Sequence, residues 1–113
     1  MEINEKIKGY IFIRSNSEFT KIRLNDIRYI QAEGDYVDIY TGEKDKGYTV
    51  HCTLKNMEEK LPASRFYRLH RSCLVSLDHI DKIKDNKAYI GKIYLLIGEQ
   101  YKKELLQKLN LVS

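Results

Sequence analysis

The side chains with the widest chemical repertoire are three histidines and two cysteines: His51, His70, His79, Cys52 and Cys73. His70 and Cys73 have a spacing that metal ligands use, but the second paired cluster of a structural zinc site is missing from the sequence. The six glycines form neither a phosphate-binding loop nor a dinucleotide fingerprint, and there is no Gly-x-Ser-x-Gly elbow. Asp78 and His79 fall in a short polar turn that is more typical of a solvated loop than of a catalytic pair. We therefore expect no enzyme, no metal site and no cofactor.

Cationic groups are concentrated in one short stretch, residues 65–72. Arg65, Arg68, His70 and Arg71 fall within eight residues and are followed by the hydroxyl of Ser72. Such clusters neutralise and bind phosphates, and a formal net charge of +4 also favours an anionic partner. Because successive residues of a strand point to opposite sides, only part of the cluster can face a ligand. A solvated surface with one buried aromatic face is the alternative interpretation.

The segments that must position this cluster are short and mostly alternate apolar with polar residues, a pattern that predicts strands. Before the cluster the predicted strands cover residues 10–14, 19–24, 28–32, 36–41 and 48–52. From the cluster onward they cover residues 65–69, 73–75, 80–84, 88–90 and 92–97. Turn residues between neighbouring strands, such as Gly34 with Asp35, predict antiparallel hairpins. Five tyrosines in these strands are expected to be half-buried: Tyr10, Tyr40, Tyr48, Tyr89 and Tyr94.

Two segments have helical periodicity instead. Leu54, Met57 and Leu61 form an apolar stripe, with Thr53 as a plausible N-cap and Pro62 ending the helix. A second helix is predicted over residues 99–109. The sequence thus predicts one mainly β domain (a β-rich α+β fold) over residues 1–113, with residues 1–8 as an N-terminal extension. No apolar run approaches the ~20 residues that cross a bilayer, and the first residues do not resemble a signal peptide, so we expect a cytoplasmic protein without a membrane segment.

Residues 65–75, RFYRLHRSCLV, resemble the signature of the LytTR family of bacterial DNA-binding domains. That signature has an aromatic pair, a basic residue and a His/Arg-Arg/Asn-Ser run followed by apolar residues. Three more stretches agree with the family in order and spacing, namely residues 26–37, 54–61 and 97–105. The resemblance extends over about residues 10–109, nearly the whole chain.

The resemblance implies short antiparallel sheets with few helices, and loops that enter successive major grooves of double-stranded DNA. Carried over position by position, it implies these DNA-binding residues: Asp35, Tyr36, Val37, Arg68, His70, Arg71, Ser72, Gln100, Lys102 and Lys103. Arg71 is the candidate for base reading, because a guanidinium can bridge O6 and N7 of guanine. Arg68 and Ser72 are expected on the DNA backbone. His70 either donates to DNA or packs beneath the cluster.

Two positions depart from the family pattern. Glu99 is acidic where many members present a basic residue, so Gln100, Lys102 and Lys103 take over there, or Glu99 points away as a helix-start residue. Asp35 is acidic at the hairpin tip, where it either accepts from cytosine N4 or simply forms the turn.

The implied function is transcriptional regulation, as a stand-alone regulator or as the output domain of a two-component response regulator. The family commonly binds direct repeats in pairs, so we expect double-stranded DNA as the partner and a homodimer on DNA. An upstream receiver or sensor domain is a further expectation, and it has no counterpart in these 113 residues. The alternative function is a β-rich protein- or ligand-interaction module that does not bind nucleic acid. Such a module would have an exposed apolar groove and basic loops scattered over different faces.

Overall fold

The computed structural model describes residues 9–42 and 46–113, so the expected extension at residues 1–8 lies outside the described residues. Within these two stretches the chain forms ten strands and two α-helices. The strands are β1 (Tyr10–Ser15), β2 (Glu18–Arg23), β3 (Ile27–Glu33), β4 (Tyr36–Thr41), β5 (Lys46–Val50), β6 (Phe66–His70), β7 (Cys73–Ser76), β8 (Lys82–Lys84), β9 (Lys87–Ile90) and β10 (Ile93–Leu96). The helices are α1 (Leu54–Lys60) and α2 (Glu99–Gln107). The expected β-rich fold with a mid-chain helix and a C-terminal helix is confirmed.

The described strands form three antiparallel sheets. A central sheet has the order β5-β4-β3-β7-β6, and a three-stranded sheet has the order β10-β9-β8. The hairpin β1-β2 forms the third sheet. Short turns join β1 to β2, β3 to β4, β6 to β7, β8 to β9 and β9 to β10, as the alternation and the turn residues predict.

The central sheet is covered on both faces. On one face Ile30, Ile39 and Leu74 pack against Ile13 and Ile22 of the β1-β2 hairpin, with α1 alongside them. On the other face Leu69, Cys73 and Val75 of the central sheet pack with Ala88 and Ile90 of β9 and Leu105 of α2. A central sheet held from both sides is a rigid base for the loops at its ends.

Each helix begins as its sequence predicts. The hydroxyl of Thr53 accepts a hydrogen bond of 3.0 Å from the backbone N–H of Asn56, which caps α1. Helix α2 begins at Glu99 and ends at Gln107, two residues earlier than expected, and buries Leu105 against β6. None of the helices in the described stretches has the length and apolar character needed to cross a membrane.

Burial agrees with the sequence interpretation in the central sheet and departs from it at the outer sheets. Cys73 is fully buried and burial raises the pKa of its thiol to about 12, whereas Cys52 is only half-buried against the core. Tyr40, Tyr48 and Tyr89 are half-buried as expected. The expectation is wrong for Tyr10 and Tyr94, which are 36% and 51% exposed because they lie on the uncovered outer faces of the β1-β2 hairpin and of β10.

Candidate nucleic-acid interface

The expected contact residues fall in three segments, residues 35–37, 68–72 and 100–103, and the loops of the first two lie side by side at one end of the central sheet. Strands β3 and β7 pair with Gln31 opposite Cys73, and the N–H of Ala32 donates to the carbonyl of Ser72 at 2.8 Å. The turn between β6 and β7 therefore adjoins the turn between β3 and β4. We call this end of the sheet, with residues 33–36 and 70–72, the loop end.

The β3-β4 turn exposes two of the expected residues and buries the third. Gly34 has a φ of +60°, the left-handed conformation that the first position of a two-residue type II′ turn requires, and Asp35 follows it at the tip. Tyr36 is 48% exposed, with its ring centroid 4.9 Å from that of His51 at the end of β5. Val37 is 0% exposed and belongs to the core, so it presents no side-chain surface at the loop end.

Arg68 holds the β6-β7 turn from within. Its Nε donates to Glu58 Oε1 of α1 at 2.9 Å, and its Nη1 donates to the carbonyl of Arg71 at 2.7 Å. Its side chain is 21% exposed. The guanidinium thus connects α1 to the backbone of the turn, which fixes the position of Arg71.

His70 is also built into the turn. Its Nδ1 accepts a hydrogen bond of 3.2 Å from the N–H of Ser72 and lies 3.1 Å from the Ser72 hydroxyl. Because Nδ1 accepts, the neutral ring carries its proton on Nε2, which leaves Nε2–H as a donor. Burial, and then the positive charge of Arg71, lower the pKa of His70 below its usual value of 6.5.

Arg71 has the opposite character. Its side chain is exposed, and in the described stretches no hydrogen-bond or ion-pair partner holds its guanidinium. Its backbone carbonyl, by contrast, is fixed by Arg68. A fixed backbone with a free, fully charged fork of donors is the arrangement that recognition of guanine or phosphate uses.

The start of α2 is the third expected element, and it adjoins the loop end. The N–H of Gly98 donates to the carbonyl of Leu69 at 2.7 Å, which ties the chain before α2 to the edge of β6. A Cβ at Gly98 would lie 3.1 Å from the Cβ of His70 and from a ring carbon of Tyr101, so this close approach favours glycine. The helix then runs back along β6, since Lys108 near its end donates to the carbonyl of Ala63.

The expected contact residues of α2 lie within its first turn and a half. Gln100 and Lys103 are exposed, whereas Lys102 is half-buried. At 1.5 Å per residue, Lys102 and Lys103 lie about 4.5 and 6 Å along the helix axis from Glu99. The two lysines are therefore close to the loop end but set back from it.

The loop end has the dimensions of a DNA contact. Five strands spaced about 4.8 Å apart make the end of the central sheet about 19 Å wide, close to the width of a duplex. The whole described body measures 46 × 38 × 24 Å. Its longest dimension exceeds the ~34 Å of one duplex turn.

The electrostatics of the loop end are mixed. Asp35 and Glu99, the two acidic departures, are both exposed, as is Glu33 beside the tip. Arg71 and Lys103 are exposed cations in the same region. The positive charge is thus concentrated toward β6 and α2, while the β3-β4 tip is acidic.

Sequence reasoning did not include a fourth loop that reaches the same region. The carbonyl of Asn86, in the turn between β8 and β9, accepts from the N–H of Ile97 at 2.9 Å, one residue before Gly98. The sequence predicts a turn at these residues, but its position beside Gly98 depends on how the three-stranded sheet packs against the central sheet. A groove of about 730 Å³ lies at the other end of the central sheet, next to Arg28, Gly42 and Gly91.

Comparisons with known proteins agree with this architecture. The family model described as the LytTr DNA-binding domain matches residues 17–110. The sensory transduction protein LytT of Bacillus subtilis is 35% identical over 95 residues, covering 76% of this chain and 37% of the relative. The transcriptional regulatory protein YpdB of Escherichia coli is 35% identical over 73 residues, covering 65% of this chain and 28% of the relative.

A response regulatory protein of Vibrio cholerae is 29% identical over 82 residues, covering 71% of this chain and 31% of the relative. The chain therefore spans about a third of the length of the curated relatives it matches. Among solved structures, a LytTr DNA-binding domain of a methyl-accepting/DNA response regulator from Bacillus cereus has the same fold. It superposes with a TM-score of 0.74 at 19% identity, over 92% of this chain and 99% of that one. With a family model matched over most of its length, the chain belongs to the LytTR family of DNA-binding domains.

Proposed function

We propose that the loop end binds double-stranded DNA in a sequence-specific manner and that the protein acts in transcriptional regulation. The observation that carries this proposal is the exposed guanidinium of Arg71, which has no partner in the described part of the chain, on a turn whose backbone is fixed by Arg68. The expected loops also meet at one end of the central sheet, whereas an interaction module without nucleic-acid binding would have them on different faces.

In this proposal Arg71 enters a major groove and reads a base edge. A bidentate contact to O6 and N7 of guanine gives about 1–3 kcal/mol of discrimination against other bases. Arg68 keeps the turn in place and contributes its charge near the DNA backbone, while Ser72 and the Nε2–H of His70 donate to phosphate oxygens.

The flanking elements fix the register of the duplex. Asp35 and Tyr36 lie on one side of Arg71, and Gln100, Lys102 and Lys103 lie on the other. The lysines neutralise phosphates without reading sequence, because a flexible ammonium acts as a point charge. Asp35 accepts from a cytosine amino group, which makes the acidic tip a specificity element despite its repulsion of the backbone.

The setting of this activity is a second part of the proposal. The relatives include a sensory transduction protein and a response regulatory protein, each about three times as long as the matched region. We infer that the domain works as an output unit in the cytoplasm, under a receiver or sensor domain, and binds direct repeats in pairs as a homodimer on DNA. The proposal assigns it no catalytic step.

Selection of binding sites from random duplexes by the purified domain, at a fixed salt concentration, tests the proposal. We expect a short motif containing at least one guanine whose identity is relaxed when the selection is repeated with Arg71→Ala. Recovery of no motif with the folded wild-type domain would overturn sequence-specific recognition. A motif that is unchanged in Arg71→Ala would overturn the role of Arg71.

A further inference from the structure

The outer face of the three-stranded sheet carries mostly lysines and tyrosines. Its side chains form two cross-strand rows, which are Lys82, Tyr89 and Tyr94, and then Lys84, Lys87 and Leu96. The ammonium groups of Lys82 and Lys87 lie 4.9 and 4.7 Å from the ring centroids of Tyr89 and Tyr94. None of these six outward positions of β8, β9 and β10 is acidic, so the face favours an anionic partner.

One of the two rows lies next to the loop end. The bond from Ile97 N–H to the carbonyl of Asn86 fixes the β8-β9 turn beside Gly98, and Gly98 is bonded to Leu69 of β6. Lys84 and Lys87 flank that turn directly. The row with Lys82 is two residues farther along the strands, about 6.7 Å from it. The same face therefore has one lysine pair near the loop end and one lysine set back.

The distance of this lysine pair from the central sheet matches the geometry of a groove. The sheet packs through Ile83, Ala88 and Leu95 onto Leu69, Cys73 and Val75 of the central sheet, and packed sheets lie about 10 Å apart. A major groove is about 12 Å wide and is bordered by phosphates on both sides. The middle of such a groove is about 6 Å from either border. Lys84 and Lys87 project from the outer face of the small sheet, more than about 10 Å from the central sheet, so they lie outside the groove edge, beside the phosphates that border it.

From this placement we propose that Lys84 and Lys87 bind phosphates of the DNA strand that borders the groove entered by Arg71. The inference rests on the proposed function and adds a fourth contact region to it. Asp85, exposed in the same turn, opposes the contact, and two lysines outweigh it. Lys82, which has the same charge and the same aromatic support, is set back by one row, about 6.7 Å, and the proposal assigns it no phosphate contact.

The test compares Lys84→Gln/Lys87→Gln with Lys82→Gln, each titrated with the selected duplex and with an unrelated duplex at several salt concentrations. We expect the double variant to lower affinity for both duplexes by a similar factor. The slope of log affinity against log salt should become shallower by about 1.8, because each phosphate contact contributes about 0.9. Lys82→Gln should retain the wild-type slope.

Two outcomes overturn the inference. One is a salt slope equal to that of the wild type in Lys84→Gln/Lys87→Gln. The other is a decrease in salt slope in Lys82→Gln that is as large, per lysine removed, as in the double variant, because it would indicate diffuse attraction by net charge. Circular dichroism and urea unfolding of each variant verify that the sheet is intact, and Lys84→Arg/Lys87→Arg should restore the slope. Failure of the proposed function is distinguishable, because the wild-type domain would then not prefer its selected duplex over the unrelated one.

Discussion

The two ends of the central sheet differ in how their arginines are bound. At the end away from the loops, Arg28 donates to the carbonyls of Gly42 and Ile90 at 2.7 and 3.1 Å, and Arg65 contacts Asp78 at 3.4 Å and the side chain of Asn25. At the loop end Arg68 is bound in the same manner, but the guanidinium of nearby Arg71 has no partner among residues 9–42 and 46–113. Bound arginines hold strands and turns together, whereas the proposed function assigns the guanidinium of Arg71 to DNA.

The largest expected contrast is between Arg71→Ala and Arg28→Ala. Arg71→Ala should lower affinity for the selected duplex by about 1–3 kcal/mol and leave the free energy of unfolding almost unchanged. Arg28→Ala removes two hydrogen bonds from a charged donor and should cost about 1–3 kcal/mol of stability, with unaltered affinity in the folded fraction. Urea unfolding and duplex titration measure the two quantities. If the two variants changed the free energy of unfolding equally and changed duplex affinity equally, Arg71 and Arg28 would not have different roles.

Substitution of the bound arginine at the loop end separates geometry from charge. Arg68→Lys keeps the positive charge, but a single ammonium cannot reach Glu58 and the carbonyl of Arg71 with the same fork of donors. We expect affinity for the selected duplex to fall severalfold, by about 1 kcal/mol, while the salt dependence stays close to that of the wild type. A wild-type affinity in Arg68→Lys would mean that charge alone, not the fixed turn, supports recognition.

Sequence reasoning located the elements of the loop end better than it assigned their roles. The alternation in residues 36–41 places Val37 on the same face as Ile39, and this pattern predicts that Val37 is buried, as the structure shows. The family pattern instead placed Val37 among the contact residues. The role of Arg68 was not accessible in this way. Its partner Glu58 belongs to a helix ten residues earlier, and only tertiary packing brings the two together.

The outer faces of the smaller sheets show a second limit. Period-two patterning indicates that a strand has two different faces, but it does not indicate which sheet will cover them. Tyr94 and Lys87 follow the same alternation as strands of the central sheet, yet they remain on an open face. The place of the β8-β9 turn beside Gly98 depends on that same packing, so the candidate phosphate contacts were missed.

The pH dependence of stability provides a smaller test of the loop end. The lowered pKa of His70 means that the unfolded chain takes up a proton at this site at a higher pH than the folded chain. Stability from this group is therefore present above the ordinary pKa of about 6.5 and is lost as pH falls through that value toward the folded pKa. Urea unfolding at pH 7.5 and 5.5 should show a decrease that is smaller in His70→Asn, which keeps an acceptor near Ser72 N–H but does not titrate. An identical decrease in both proteins would assign it to other groups.

The smallest expected effect is at the acidic tip, where substitution of Asp35 should change both the overall affinity for DNA and the preference for one base. Asp35→Asn removes a negative charge next to the duplex, so affinity for an unrelated duplex should rise by a few tenths of a kcal/mol at low salt. If Asp35 accepts from a cytosine amino group, the same variant should lose preference for that base, since an amide also offers donors to competing bases.

Glu99→Gln, at the start of α2, serves as the matched control, because it removes the same charge from a residue without an assigned base contact. If both variants bind the unrelated duplex more tightly and only Asp35→Asn loses base preference, the hairpin tip contributes to base recognition. If both variants bind both duplexes more tightly, Asp35 forms the turn and makes no base contact.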